Sequence, residues 1–146
     1  MLDALKILGS SQAVTTATTT RTTNTHDCGG DYDVGPGEAK GIMFVINVAA
    51  DYTTTDETHN FRLVTDDNTG FSSLTVLAET GAIAGNLLTA GRKIFLALPN
   101  ENERYIEGSV VSAGTSPLVT WSCYYGLQKD MLSGSLTVSA SGLVVG

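Results

Sequence analysis

The sequence predicts an all-β chain folded as an antiparallel sandwich or barrel, and three observations carry that prediction. Ile42 to Ile46 are large, apolar and uncharged, and the run continues through Asn47 to Val48, Ala49 and Ala50. Turn residues recur along the chain at about 8–12-residue spacing and delimit about eight short strands. No segment keeps a 3.6-residue apolar period long enough to form a major helix.

The elements follow in order. Met1 to Gly9 is short and mildly apolar, enough for one helical turn or an extended arm, because so short a segment does not hold a helix alone. Asp3 interrupts it, and it lacks both a basic start and a long apolar stretch, so it does not read as a secretory signal. Ser10–Thr25 is dominated by Thr, whose branched β-carbon favours extended backbone. Only Ala13, Val14 and Ala17 offer it anything to bury, so it is expected as an edge strand or as an arm lying on a partner. Residues 1–25 are accordingly set apart as an N-terminal arm or edge segment. A mucin-like stalk would want Pro, and this stretch has none.

Asp33–Val48 is the stretch around which the rest is organised. Gly35-Pro36-Gly37 cannot lie inside a central strand, since Gly weakens a ladder and Pro lacks its donor. The apolar run that follows is short and bounded by turn residues. Length therefore favours a core strand, Ile42–Val48, covered on both faces, over a buried helix. Asp51–Asn60 is a polar loop, Phe61–Thr65 an alternating half-buried strand, and Asp66–Gly70 a turn rich in Asp and Asn. Leu74–Ala78 is a further strand, Gly81–Asn86 a corner, and Arg92–Leu98 a strand stopped by Pro99. Arg104–Ala113 alternates so that Tyr105, Glu107 and Ser109 oppose Ile106, Gly108 and Val110. Gly114–Pro117 is a turn and Leu118–Leu127 the last strong strand. Residues 26–130 thus form the sandwich domain, and residues 131–146 an extended tail with a weak strand signal at Leu136, Val138 and Ala140.

Composition narrows the functional classes. A net charge of −7 with eight Lys and Arg in 146 residues argues against a nucleic-acid-binding face, which needs clustered cations. No apolar run approaches the roughly 20 residues of a membrane helix. Charged residues are 16% of the chain, so the surface is built largely of Thr, Ser, Asn and Gly, which suits a β protein packed against another surface. Cys28 and Cys123 supply neither a disulfide framework nor a four-ligand zinc site, and read as buried free thiols in strands.

No motif carries catalytic chemistry. His26, Asp27 and Cys28 are adjacent, but a Cys–His nucleophile needs hydrogen-bond reach and a lowered thiol pKa, which sequence does not supply. His59 follows an acidic loop and is expected as a solvated surface residue. Asp66–Gly70 has a calcium-loop flavour, yet an EF-hand needs Gly sixth and Glu twelfth, whereas Gly70 is fifth and Leu77 twelfth; a hairpin turn is the better reading. Gly35-Pro36-Gly37 lacks the GK[ST] of a phosphate loop. Trp121, Tyr124 and Tyr125 could stack on a sugar, although aromatics on a core strand more often simply pack. No catalytic residue, cofactor or metal ligand is therefore assigned.

A series of short pieces occurs in a fixed order: Met1-Leu2-Asp3-Ala4, Ser11-Gln12-Ala13-Val14-Thr15 and the Asp33–Glu38 corner before an apolar strand. It continues through Phe71-Ser72-Ser73, Leu77-Ala78-Glu79-Thr80, Ala82-Ile83, Leu88-Thr89-Ala90-Gly91, and Leu98-Pro99 leading to Arg104-Tyr105-Ile106. Each piece is a turn or strand edge, and their sequential order to about Asp130 makes the match specific. In these pieces the chain resembles the capsid cement (decoration or stapling) proteins of short-tailed bacteriophages. The chain departs from the family pattern at Ala39-Lys40-Gly41, at Glu107-Gly108-Ser109 and in the tail beyond Met131.

The resemblance implies a jelly-roll-like antiparallel β-sandwich with an extended N-terminal arm. It further implies a non-enzymatic virion protein on the capsid exterior, bound to the major capsid protein of an HK97-type shell and reinforcing contacts between capsomers. A homodimer is expected, with a homotrimer as the alternative, and no nucleic acid or membrane partner. Leu2, Leu5, Ile7, Leu8 and Gln12 are the expected partner contacts, the four apolar ones because a sandwich core has no obvious place for them. The alternative function is a carbohydrate-binding jelly-roll module on the virion surface.

Overall fold

A computed structural model of the chain describes residues 6–29, 32–33, 40–50, 55–99, 101–131, 137–139 and 142–145. The strands in chain order are β1 (Lys6–Val14), β2 (Thr19–Arg21), β3 (His26–Asp27), β4 (Tyr32–Asp33), β5 (Lys40–Val48), β6 (Thr58–Asp66) and β7 (Thr75–Ala84). They continue as β8 (Lys93–Ala97), β9 (Glu101–Asn102), β10 (Tyr105–Ala113), β11 (Val119–Leu127), β12 (Thr137–Ser139) and β13 (Gly142–Val145), with a short α-helix, α1 (Gln128–Met131), after β11. Among the described residues no helix is long and apolar enough to cross a membrane.

One sheet runs β1-β11-β5-β8-β13-β12 and the other β2-β10-β6-β7, with β3 also pairing β10 and a small β4-β9 ribbon beside them. The pairings are antiparallel. The chain crosses between sheets after β5, stays in the second sheet for β6 and β7, returns for β8, and crosses again for β10 and β11. The order β1-β11-β5-β8 opposite β2-β10-β6-β7 is that of a jelly roll, two Greek keys wrapped into a sandwich.

β5 lies between β11 and β8, as the apolar run predicts. Side chains alternate along it, so Ile42, Phe44 and Ile46 enter the sandwich core while Met43 and Val45 lie on the outer face. Phe44 meets Phe61 edge-on at 5.0 Å and Trp121 at 5.3 Å, tying β5 to both β6 and β11. On the outer face Met43 and Phe95 pack with Met131, which α1 delivers from just beyond β11. Both faces of the strand are therefore covered. The strand ends are the exceptions: Lys40 at one end and Asn47 and Val48 at the other are exposed, Val48 to 56%.

Gly108 on β10 shows how closely the sheets approach. A Cβ there would lie 2.8 Å from Cys123 Sγ and 2.9 Å from Phe44 Cζ, so the position has room only for hydrogen. Ile106 and Val110 point inward on either side of it. The opposite face of β10 is covered as well, since Glu107 and Ser109 are buried, a departure from simple half-burial.

Of the two readings of the Thr-rich segment, an edge strand or an arm lying on a partner, the structure shows the first: β1 is an edge strand on β11 and β2 pairs with β10. Register breaks on either side of Gly9, with Ser11 at φ 47, make β1 a bulged edge, a shape that discourages unspecific edge pairing. The corner placed at Gly81–Asn86 is instead a continuation of β7, in which Gly81 takes φ 74 at a bulge; the chain turns at Gly85–Leu87. From the expected tail, β13 pairs with β8 and β12 with β13, extending the six-stranded sheet. Cys123 is buried in β11, whereas Cys28 is half-buried just beyond β3; both are free. Gly35-Pro36-Gly37 lies outside the described residues.

Candidate functional site

The residues expected to touch a partner separate clearly. Leu2 and Leu5 lie outside the described residues. Leu8 is wholly buried among the core side chains, so its side chain presents nothing outward, and the expectation is corrected for it. Strand alternation explains this, because the inward turn of Leu8 sends its neighbour Ile7 out, 48% exposed. Gln12 is half-buried and occupied: its Nε2 donates to Arg21 O at 2.9 Å and its Oε1 accepts from Thr23 N at 3.2 Å. It fastens β1 to the start of the second sheet. Other large apolar side chains reach the surface at Val48, Leu87 and Leu118, each at a strand end or turn where runs of hydrophobicity mislead.

The His26–Cys28 neighbourhood does not assemble a relay. The His26 ring stacks on Tyr125 with centroids 4.0 Å apart, and burial followed by the nearby Lys6 charge holds its pKa below the ordinary histidine value. Asp27 is held by Arg104 through two hydrogen bonds of 3.0 Å, which bring its carboxyl down to about 2. Cys28 sits beside Asn102, whose Nδ2 lies 3.5 Å from the sulfur, and burial pushes the thiol up. An attacking thiolate needs the opposite shift. Each of the three side chains has a different partner.

Asp66–Gly70 begins the β6–β7 connection, and hydrogen bonds hold it shut. Asp66 Oδ1 accepts from Asn68 N and Nδ2, and Oδ2 accepts from Ser73 N at 2.9 Å. Burial alone would raise this carboxyl, but those bonds outweigh it and keep it below its ordinary value. Carboxylate oxygens of Asp66, Asp67 and Glu103 lie within 4.8 Å of one another, yet those of Asp66 already serve the turn.

The same connection folds back over the second sheet. Phe71, at φ 51 and nearly buried, places its ring 4.9 Å from the Arg21 guanidinium. Arg21 in turn meets Glu107 at 2.8 Å, and Thr25 donates to the other Glu107 oxygen at 2.5 Å. Burial raises the Glu107 carboxyl above its ordinary value, partly opposed by Thr25 and Arg21.

His59 reverses its expected role. It is fully buried on the inward face of β6, with Nδ1 2.8 Å from Ser112 Oγ across the β6–β10 ladder. Glu57, two residues earlier, is buried too. The signal was present in the sequence, because the alternation that turns Phe61 and Leu63 inward does the same to His59.

The three aromatics of the carbohydrate reading are also divided. Trp121 is inside the core, Tyr124 joins the outer cluster, and Tyr125 is half-buried against His26, so they form no common platform.

Among known protein families, the model described as Bbp16 matches residues 8–121, from β1 into β11. No curated protein matches the chain.

Proposed function

The chain belongs to the Bbp16 family, and from that premise we propose that it is a structural virion protein rather than an enzyme. In this reading it is a capsid decoration or cement protein that binds the outside of an HK97-type bacteriophage shell and stabilises contacts between capsomers. Its partner is the major capsid protein, and it acts as a homodimer.

The observation that carries the reading is the ordered resemblance to phage capsid cement proteins, together with where its pieces fall. Gln12 links β1 to the second sheet, Phe71 seals the outer face over Arg21, and Arg104 clamps Asp27. These matched residues shape the edges and connections of one jelly roll rather than lining a cleft. The surface suits a protein partner: Thr15 to Thr19 are exposed and uncharged, and Ile7, Val48, Leu87 and Leu118 offer apolar area. Such contacts are individually weak, but repetition over a symmetric shell raises effective concentration and gives firm retention.

The test is co-sedimentation of the purified protein with shells assembled from the major capsid protein alone. Saturable binding at a fixed number of copies per shell is expected. Protein that stays in the supernatant at all concentrations would overturn the assignment.

A further inference from the structure

We propose that His59 is an acid-sensitive latch that holds one end of the sandwich closed while its ring is neutral and releases that end when the ring takes up a proton.

The geometry around the ring supports this. His59 is 0% exposed, its Nδ1 is 2.8 Å from Ser112 Oγ, and its Nε2 has no hydrogen-bond partner among the described residues. A neutral imidazole is served by the Ser112 hydroxyl in either tautomer, because a hydroxyl can donate or accept. The imidazolium carries a second N–H at Nε2, and a buried charged donor without an acceptor is costly.

The segment that His59 anchors is tied down at several points. Asp56 Oδ2 accepts from Thr115 N and Oγ1, Gly85 N donates to Glu57 O at 3.0 Å, and Ser112 N donates to Thr18 O at 2.9 Å. Gly114, at φ 114, lies so close that a Cβ there would come within 2.7 Å of Glu57 Cα. Residues 56–59 therefore join β6, β10, the turn after β10 and the turn after β7. A proton on His59 strains the centre of this arrangement, and the ties around it loosen together.

The charged surroundings are sparse. Across the ladders His59 faces Ser112 on β10 and Ile83 on β7, both uncharged. Among the described residues Glu57 is the charged side chain that acts on the ring, and it favours the protonated form; burial is the larger effect and holds the pKa below the ordinary 6.5. The sign follows. Well above 6.5 the ring is neutral in both folded and unfolded chains and contributes no pH dependence. As pH falls below 6.5 the unfolded chain takes up the proton and the folded chain resists it, so stability is lost.

The latch concerns the fold itself and stands whether or not the protein binds a shell. Its test compares the wild type, His59→Asn and His26→Gln in denaturant titrations between about pH 7.5 and about pH 5.5. Below the ordinary histidine value the wild-type folding constant should fall by up to about tenfold per pH unit. His59→Asn keeps a polar group near Nδ1 but cannot titrate, so it should remove the share of that slope that belongs to His59, whereas His26→Gln should remove only the share of His26, whose pKa is also held low by burial. Hydrogen exchange on the wild type provides the second measurement, should His59→Asn fail to fold. On acidification, amides of Thr58–Asn60 and Val111–Ala113 should lose protection before those of β5. An undiminished slope in folded His59→Asn, or unchanged protection at this end of the sandwich, would overturn the proposal.

Discussion

β1 and β5 are both nine-residue strands of the same sheet, with β11 between them. β5 has a partner on each side and covers most of both faces. β1 has a partner on one side only, carries two register breaks, and splits its side chains between the core at Leu8 and Val14 and solvent at Ile7. The difference follows from position, since a strand bounded on both sides must keep its ladder, whereas an edge strand can bulge without breaking a second pairing. It teaches that core packing and surface exposure are not assigned to separate segments here: one short strand supplies both through neighbouring residues.

That comparison can be broken by substitution. Phe44→Ala should cost most, about 3–5 kcal/mol in chemical denaturation, because its ring joins β5 to Phe61 and Trp121. Leu8→Ala should follow at about 2–5 kcal/mol. A Leu8→Ala protein as stable as the wild type would return β1 to the status of an arm. Gly108→Ala should cost about 1–3 kcal/mol, since Cys123 and Phe44 must give way; unchanged stability would show that the two sheets separate easily.

Arg21→Ala comes next, at about 1–2 kcal/mol, a figure discounted because Arg21 is 36% exposed. Pairing the change with Glu107→Gln should recover part of the loss, and additive losses would show that the ion pair under Phe71 contributes nothing. Glu107 also carries a pH sign. Its folded pKa is raised above 4.5, so its stabilising protonation is complete below that value and lost as pH rises through the raised one. Glu107→Gln should remove that dependence from a stability–pH curve. Smallest of all, Ile7→Asp should change stability by no more than about 0.5 kcal/mol, because the side chain has little packing to lose.

The central strands were legible because apolar runs and turn residues write them directly, as in Ile42–Ile46 before Asn47 and in Arg92–Leu98 before Pro99. The sandwich followed from their spacing. Edge elements were harder to read. The sequence between Lys6 and Val14 has too few apolar residues to announce a strand, and its place comes from backbone pairing with β11. Gly81 reads as a turn but serves a bulge inside β7. The burial of Glu107 depends on Arg21, Thr25 and Phe71 arriving from distant parts of the chain, which no local pattern contains. His59 was readable by alternation, but its polar neighbours Asp56, Glu57 and Asn60 obscured the signal.

The most direct test of the proposed role is the temperature at which shells rupture, measured with no added protein, with the wild type and with Ile7→Asp. The wild type should raise the rupture temperature, and Ile7→Asp, though equally well folded, should raise it less. Identical rupture temperatures with and without the wild type would contradict the cement function.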